Sequence, residues 1–139
     1  MGRLTVLLLA LLAAGPAAAG PAGANVLEHK GRWESGYGVR FYNVVGRLRN
    51  TSGHALGYVK LRVDAVNEAG KVVASTETFN ESAEALAVPD LDAKELLASG
   101  KVKPLPADAE ERFRASFLEE ETPPFKDYRV TVVETPAAK

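Results

Sequence analysis

Hydrophobic and polar residues alternate with a period of two through most of the chain beyond residue 38. From Val39 to Asn50 the even positions Tyr42, Val44, Gly46 and Leu48 are apolar or small, while Asn43, Arg47 and Arg49 take the other face. Such alternation marks a half-buried strand. After the turn-rich Thr51-Ser52-Gly53-His54, the stretch Tyr58 to Asn67 repeats it on odd positions. Val59, Leu61, Val63 and Ala65 point inward there, with Tyr58, Lys60, Arg62 and Asp64 outward. Asn67-Glu68-Ala69-Gly70 is a turn whose glycine suits positive φ, and the β-branched run Lys71 to Phe79 completes a hairpin.

Two further strands are expected at Arg112 to Leu118, with Phe113, Ala115 and Phe117 on one side, and at Lys126 to Glu134, with Tyr128, Val130 and Val132. Val26 to Trp33 gives a weaker first strand, because Gly31 and charges interrupt its pattern. These spacings predict an all-β fold, an antiparallel β-sandwich of immunoglobulin-like type. Residues 80–106 break the alternation and form an insertion carrying a short helix. Asp90 or Asp92 is its N-cap and Gly100 its C-cap, with Pro104 and Pro106 stiffening the return. The tail from Thr135 is expected to fray.

The first 24 residues follow a different rule. Arg3 precedes the apolar run Leu4 to Ala14, which Gly15-Pro16 ends, and this reads as a secretory signal peptide. The run is well short of the roughly 20 residues that span a bilayer, so no membrane span is expected after cleavage. Small residues offer cleavage after Ala19 or after Ala24; the second is preferred because polar sequence begins at Asn25. The domain then covers 25–139, and the protein is expected to be secreted or periplasmic. The absence of cysteine removes disulfides, thiolate nucleophiles and a lipidated cysteine, so about 115 residues must be held by their apolar core. The chain has 17 Lys and Arg against 18 Asp and Glu, a formal net charge of -1. No global field therefore draws nucleic acid.

The order of four segments adds a resemblance. Gly46-Arg47-Leu48-Arg49-Asn50, Tyr58 to Asn67, Gly70-Lys71-Val72-Val73 and Leu105 to Phe117 together resemble the FxLYD-type domain, an immunoglobulin-like module of exported prokaryotic proteins. The family's Phe-x-Leu-Tyr-Asp stands here as Val63-Asp64-Ala65-Val66-Asn67, and its Pro-Gly turn as Pro106-Ala107. The resemblance covers about residues 41–133 without the insertion. It implies a binding or spacer module, with no catalytic residues to carry over.

Candidate chemistry is sparse. His29 and His54 have no acidic residues at ligand spacing, so neither a metal nor another cofactor is inferred. Ser35-Gly36-Tyr37-Gly38 lacks the glycine of a nucleophile elbow, and Glu119-Glu120-Glu121 reads as a solvated turn. Asn50-Thr51-Ser52 and Asn80-Glu81-Ser82 match the glycosylation acceptor pattern, which the prokaryotic resemblance makes a coincidence. Two groups remain as candidate partner-binding residues. Trp33, Tyr37 and Tyr42 cluster in a Gly-rich stretch, with Trp33 also suited to plugging the core. Arg47 and Arg62 head an outward basic set, which an immunoglobulin-like topology disperses onto opposite sheets. The expected function is a non-enzymatic accessory or binding module that contacts a protein or cell-envelope component. The rival is a small secreted hydrolase or carbohydrate-binding domain built on surface carboxylates near Trp33 and Tyr42.

Overall fold

The computed structural model describes residues 23–84, 95 and 102–138. The expected signal peptide and the helix at 90–100 lie outside these residues, apart from Gly23, Ala24 and the helical Glu95. Six strands form two antiparallel three-stranded sheets: β1 (Ala24–Gly36), β2 (Val39–Asn50), β3 (Lys60–Val66), β4 (Val72–Phe79), β5 (Glu110–Leu118) and β6 (Asp127–Glu134). The first sheet has the order β1-β2-β5 and the second β4-β3-β6. Only the β1–β2 and β3–β4 hairpins stay within a sheet, and every other connection crosses to the opposite layer. The fold is thus an all-β sandwich.

Its core is the inward set that alternation selects. Val44 and Leu48 of β2, with Val59, Leu61, Val63 and Ala65 around β3, are fully buried, and Phe113, Ala115, Phe117 and Val132 close on them. Each large aliphatic or aromatic side chain so buried contributes roughly 1.5 to 3 kcal/mol. The β3–β4 turn is built as its residues predict. Gly70 adopts φ 82°. Asn67 Oδ1 accepts the backbone N–H groups of Ala69 at 2.9 Å and Lys71 at 3.0 Å, a side chain closing a turn on its own backbone.

Four departures from the sequence reading have physical causes. β1 is the longest strand because a bulge at Leu27 shifts its register between Val26 and Glu28. Ala24 and Val26 face the core before the bulge, while Gly31 and Trp33 stand opposite Val44 and Tyr42 after it. The inserted residue switches the inward parity from even to odd and hides the strand from a simple period. Tyr58, expected outward, is 3% exposed, because its ring packs edge-on against Phe79 at 5.3 Å and its hydroxyl donates to Glu134 at 2.8 Å. The tail does not fray through Ala138. Gly57 N–H donates to the Pro136 carbonyl at 2.8 Å and Ala138 N–H to that of Ala55 at 3.0 Å. Finally, a four-residue helix, α1 (Glu81–Glu84), directly follows β4, ahead of the position expected for the insertion's helix.

Buried Leu56 pins the β2–β3 connection by bridging both Leu105 and Ala137. The Leu56 and Leu105 backbones exchange both hydrogen bonds, at 2.9 and 2.8 Å. Leu105, between the two prolines of the return segment, is therefore an anchor of the sandwich.

Candidate functional site

The β1–β2 hairpin carries the aromatic candidates. Its loop is Tyr37-Gly38, closed by the Gly36–Val39 pair, and both residues have positive φ, 53° and 77°. This is the type I′ pattern, whose first position favours Asn, Asp or Gly. Tyr37 occupies it at a conformational cost, with its ring entirely in solvent. At the base of the hairpin Trp33 stands directly opposite Tyr42. Their rings meet edge-to-face at 5.2 Å, and Phe125, just ahead of β6, contacts both, at 5.8 Å from Trp33 and 5.1 Å from Tyr42. Burial and the Asp127 charge push the Tyr42 phenol above its ordinary pKa. Tyr128 rises for the same first reason, and its hydroxyl meets His29 Nδ1 at 2.8 Å.

Trp33 is not the core plug its uniqueness invites. It remains 37% exposed, with the Arg40 guanidinium 4.8 Å above its ring and Arg40 held by Glu119 at 3.3 Å. A groove of about 430 Å³ runs beside it, walled by Phe125, Pro123, Pro124, Thr122 and Glu119. Exposed Val39 and Leu118 lie on the same end of the first sheet, so this end holds most of the exposed large apolar side chains among the described residues. The three aromatic candidates therefore share one end, with Trp33 and Tyr42 in contact and Tyr37 beyond them at the tip. Phe125 and the Pro123-Pro124 wall were missed by sequence reasoning. Both follow a glutamate-rich turn after β5, and the pairing of β5 with β2 carries that turn to the end of the sheet where Trp33 stands.

The basic candidates are not brought together. Arg47 lies on the first sheet and Arg62 on the second. Arg47 is clamped by Glu28 at 3.1 Å and by Glu110, and Arg49 reaches Glu110 at 2.6 Å. Hydrogen bonding and the charge of Arg47 hold the Glu28 carboxyl below its ordinary range, and Arg49 does the same first for Glu110. Arg62 contacts Asp64 at 3.4 Å. The like-charge neighbour of Arg47 is Arg112, directly across the β2–β5 ladder, a pairing invisible before strand order is known. Arg47, Arg112 and Arg114 also line a larger cavity of about 1100 Å³, with Glu28, Glu81, Glu84 and Phe79 among its walls. Acidic and basic side chains both line it.

Two asparagines singled out as glycosylation acceptors are fully buried. Asn50 Nδ2 donates to the carbonyls of His54, Leu105 and Pro106 at 2.8, 2.9 and 3.0 Å. Its Oδ1 accepts Ser52 N–H at 2.9 Å and the Ser52 hydroxyl at 2.7 Å. Asn80 Oδ1 accepts Val59 N–H at 2.8 Å, while its amide donates to Glu111 at 2.9 Å. Glu111 also accepts Ser82 N–H at 3.0 Å and the Ser82 hydroxyl at 2.5 Å. Burial pushes the Glu111 carboxyl up, but these donors outweigh it and leave the group below its ordinary range. Both amides are internal braces with no room for a sugar.

Among the described residues no three His, Asp or Glu side chains gather as a metal site, and no helix is long and apolar enough to cross a membrane. No family model, curated protein or solved structure matches the chain.

Proposed function

We propose that the chain is a non-enzymatic exported accessory or binding module of the FxLYD-like, immunoglobulin-like type. It contacts a protein or cell-envelope component through the end of the sandwich that carries Tyr37, Trp33 and the Pro123–Phe125 wall. Passage of the chain between layers after β2, β4 and β5 supports the immunoglobulin-like assignment. The leader-like first segment supports export.

One observation carries the binding reading. A bulky ring sits fully exposed at the tip of a tight turn, in a conformation that a small polar residue or glycine would take at lower cost. Unfavourable backbone geometry kept at an exposed position points to use of that position. Exposed aromatic rings are also the side chains that most often dominate contact energies. Arg47 and Arg62, each neutralised within its own sheet, are left outside the contact surface.

The test is capture from an envelope extract by the wild-type chain and by Tyr37→Asn. The substitution leaves the core untouched and suits the turn. Loss of one wild-type-specific component with an unchanged or raised melting temperature is the expected result. Equal capture by both chains rejects this surface.

A further inference from the structure

On the export reading proposed above, we infer that the leader is cut between Ala19 and Gly20, so that the working protein begins at Gly20 and keeps Gly23 and Ala24. The cleaving enzyme reads small residues just ahead of the cut, which Ala17 and Ala19 supply as well as Ala22 and Ala24. Sequence favours the later cut because polar residues start at Asn25. The folded domain favours the earlier one.

Ala24 is 7% exposed, belongs to the main core cluster, and opens the β1–β2 ladder opposite Asn50. One residue earlier, the Gly23 carbonyl accepts the Thr51 N–H at 2.8 Å. The same corner is tied to the return segment, where Asn50 N–H donates to Ala109 O and Asp108 N–H to Asn50 O, each at 2.9 Å. Gly23 and Ala24 thus cover one end of the site occupied by buried Asn50.

A cut after Ala24 removes this cover and the acceptor for Thr51. It also places a new ammonium on Asn25, the register partner of Arg49. Leader removal acts on an extended chain, so folding does not guard the second site. The difference lies in the products: one keeps the whole first strand, and the other opens at its edge and feeds proteolysis.

The experiment is expression of the full chain in an exporting bacterium, followed by intact mass and N-terminal sequencing of the exported product. A chain running from Gly20 to Lys139 is expected. A chain starting at Asn25 overturns this inference while leaving export standing, and an uncut chain retained inside the cell overturns both. Two variants locate the cut independently of fold stability. Ala19→Leu is expected to abolish the Gly20 product, whereas Ala22→Leu leaves it unchanged; the reverse pattern overturns the inference.

Discussion

Asn50 and Asn80 show how a single buried polar side chain can tie separate segments of the chain together. Each buried amide has partners on both its oxygen and its nitrogen, so removing it strands several backbone groups at once. Leaving a buried donor or acceptor unmade costs about 1 to 3 kcal/mol. Asn50→Ala is therefore expected to destabilise the domain by about 2 to 4 kcal/mol in denaturant titration, with Asn80→Ala close behind. Glu111 makes the second bracing network pH-sensitive. Its folded pKa is depressed, so its contribution is present above the unfolded glutamate value and fades as pH falls through the folded one. Melting temperature should drop on acidification from neutral pH through the glutamate range, and Glu111→Gln should flatten part of that drop. Neither asparagine's role was legible beforehand. The acceptor pattern around each was visible, but a side chain's burial depends on what arrives from about 30 to 55 residues away.

At the scale of elements, the β1 bulge and Gly46 belong together. A Cβ at Gly46 would lie 2.7 Å from the Phe113 ring and closer still to the Glu28 carbonyl. The bulged strand and β5 press on β2 at that one place. Gly46→Ala must push β1 or Phe113 aside, an overpacking strain of about 1 to 3 kcal/mol, measurable as a lowered chevron or melting midpoint. At the other end of the same strands Tyr37→Asn should raise stability by about 0.5 to 1 kcal/mol, because a residue suited to the left-handed region replaces one that is not. If the tip is the contact surface, this stabilised chain loses its partner. Strands β2, β3, β5 and β6 were legible because regular alternation needs only local sequence. β1 was faint because its extra residue reverses the alternation halfway, and Gly46 read as a small inward position and a motif residue, with no sign of how tightly its neighbours press on it.

For the molecule as a whole, charge and shape divide the surface. On the first sheet Arg47, Arg49 and Arg114 are matched by Glu28, Glu110 and Glu34, and Arg62 on the second sheet by Asp64. Exposed pairs of this kind add little stability, but they remove the uncompensated basic patch that an anionic ligand would need. Binding to the partner is expected to weaken only slightly between about 50 and 200 mM salt, since no set of phosphate-like contacts is being screened. A steep loss over that range, read by titration, would move the contact surface from the aromatic end to the arginines.

The period-two alternation, the turn residues and the absence of cysteine determined from sequence alone that this protein is a β-sandwich held by an apolar core. These properties are local, since each residue's face follows from its neighbours one and two places away. Tertiary structure decided the rest: that Arg47 meets Glu28 and Glu110, that Trp33 gains a proline and phenylalanine wall, that two asparagines brace the interior, and that Ala24 belongs to the fold. Each depends on which strands lie side by side and in what register, and strand pairing joins segments whose separation along the chain carries no periodic signal.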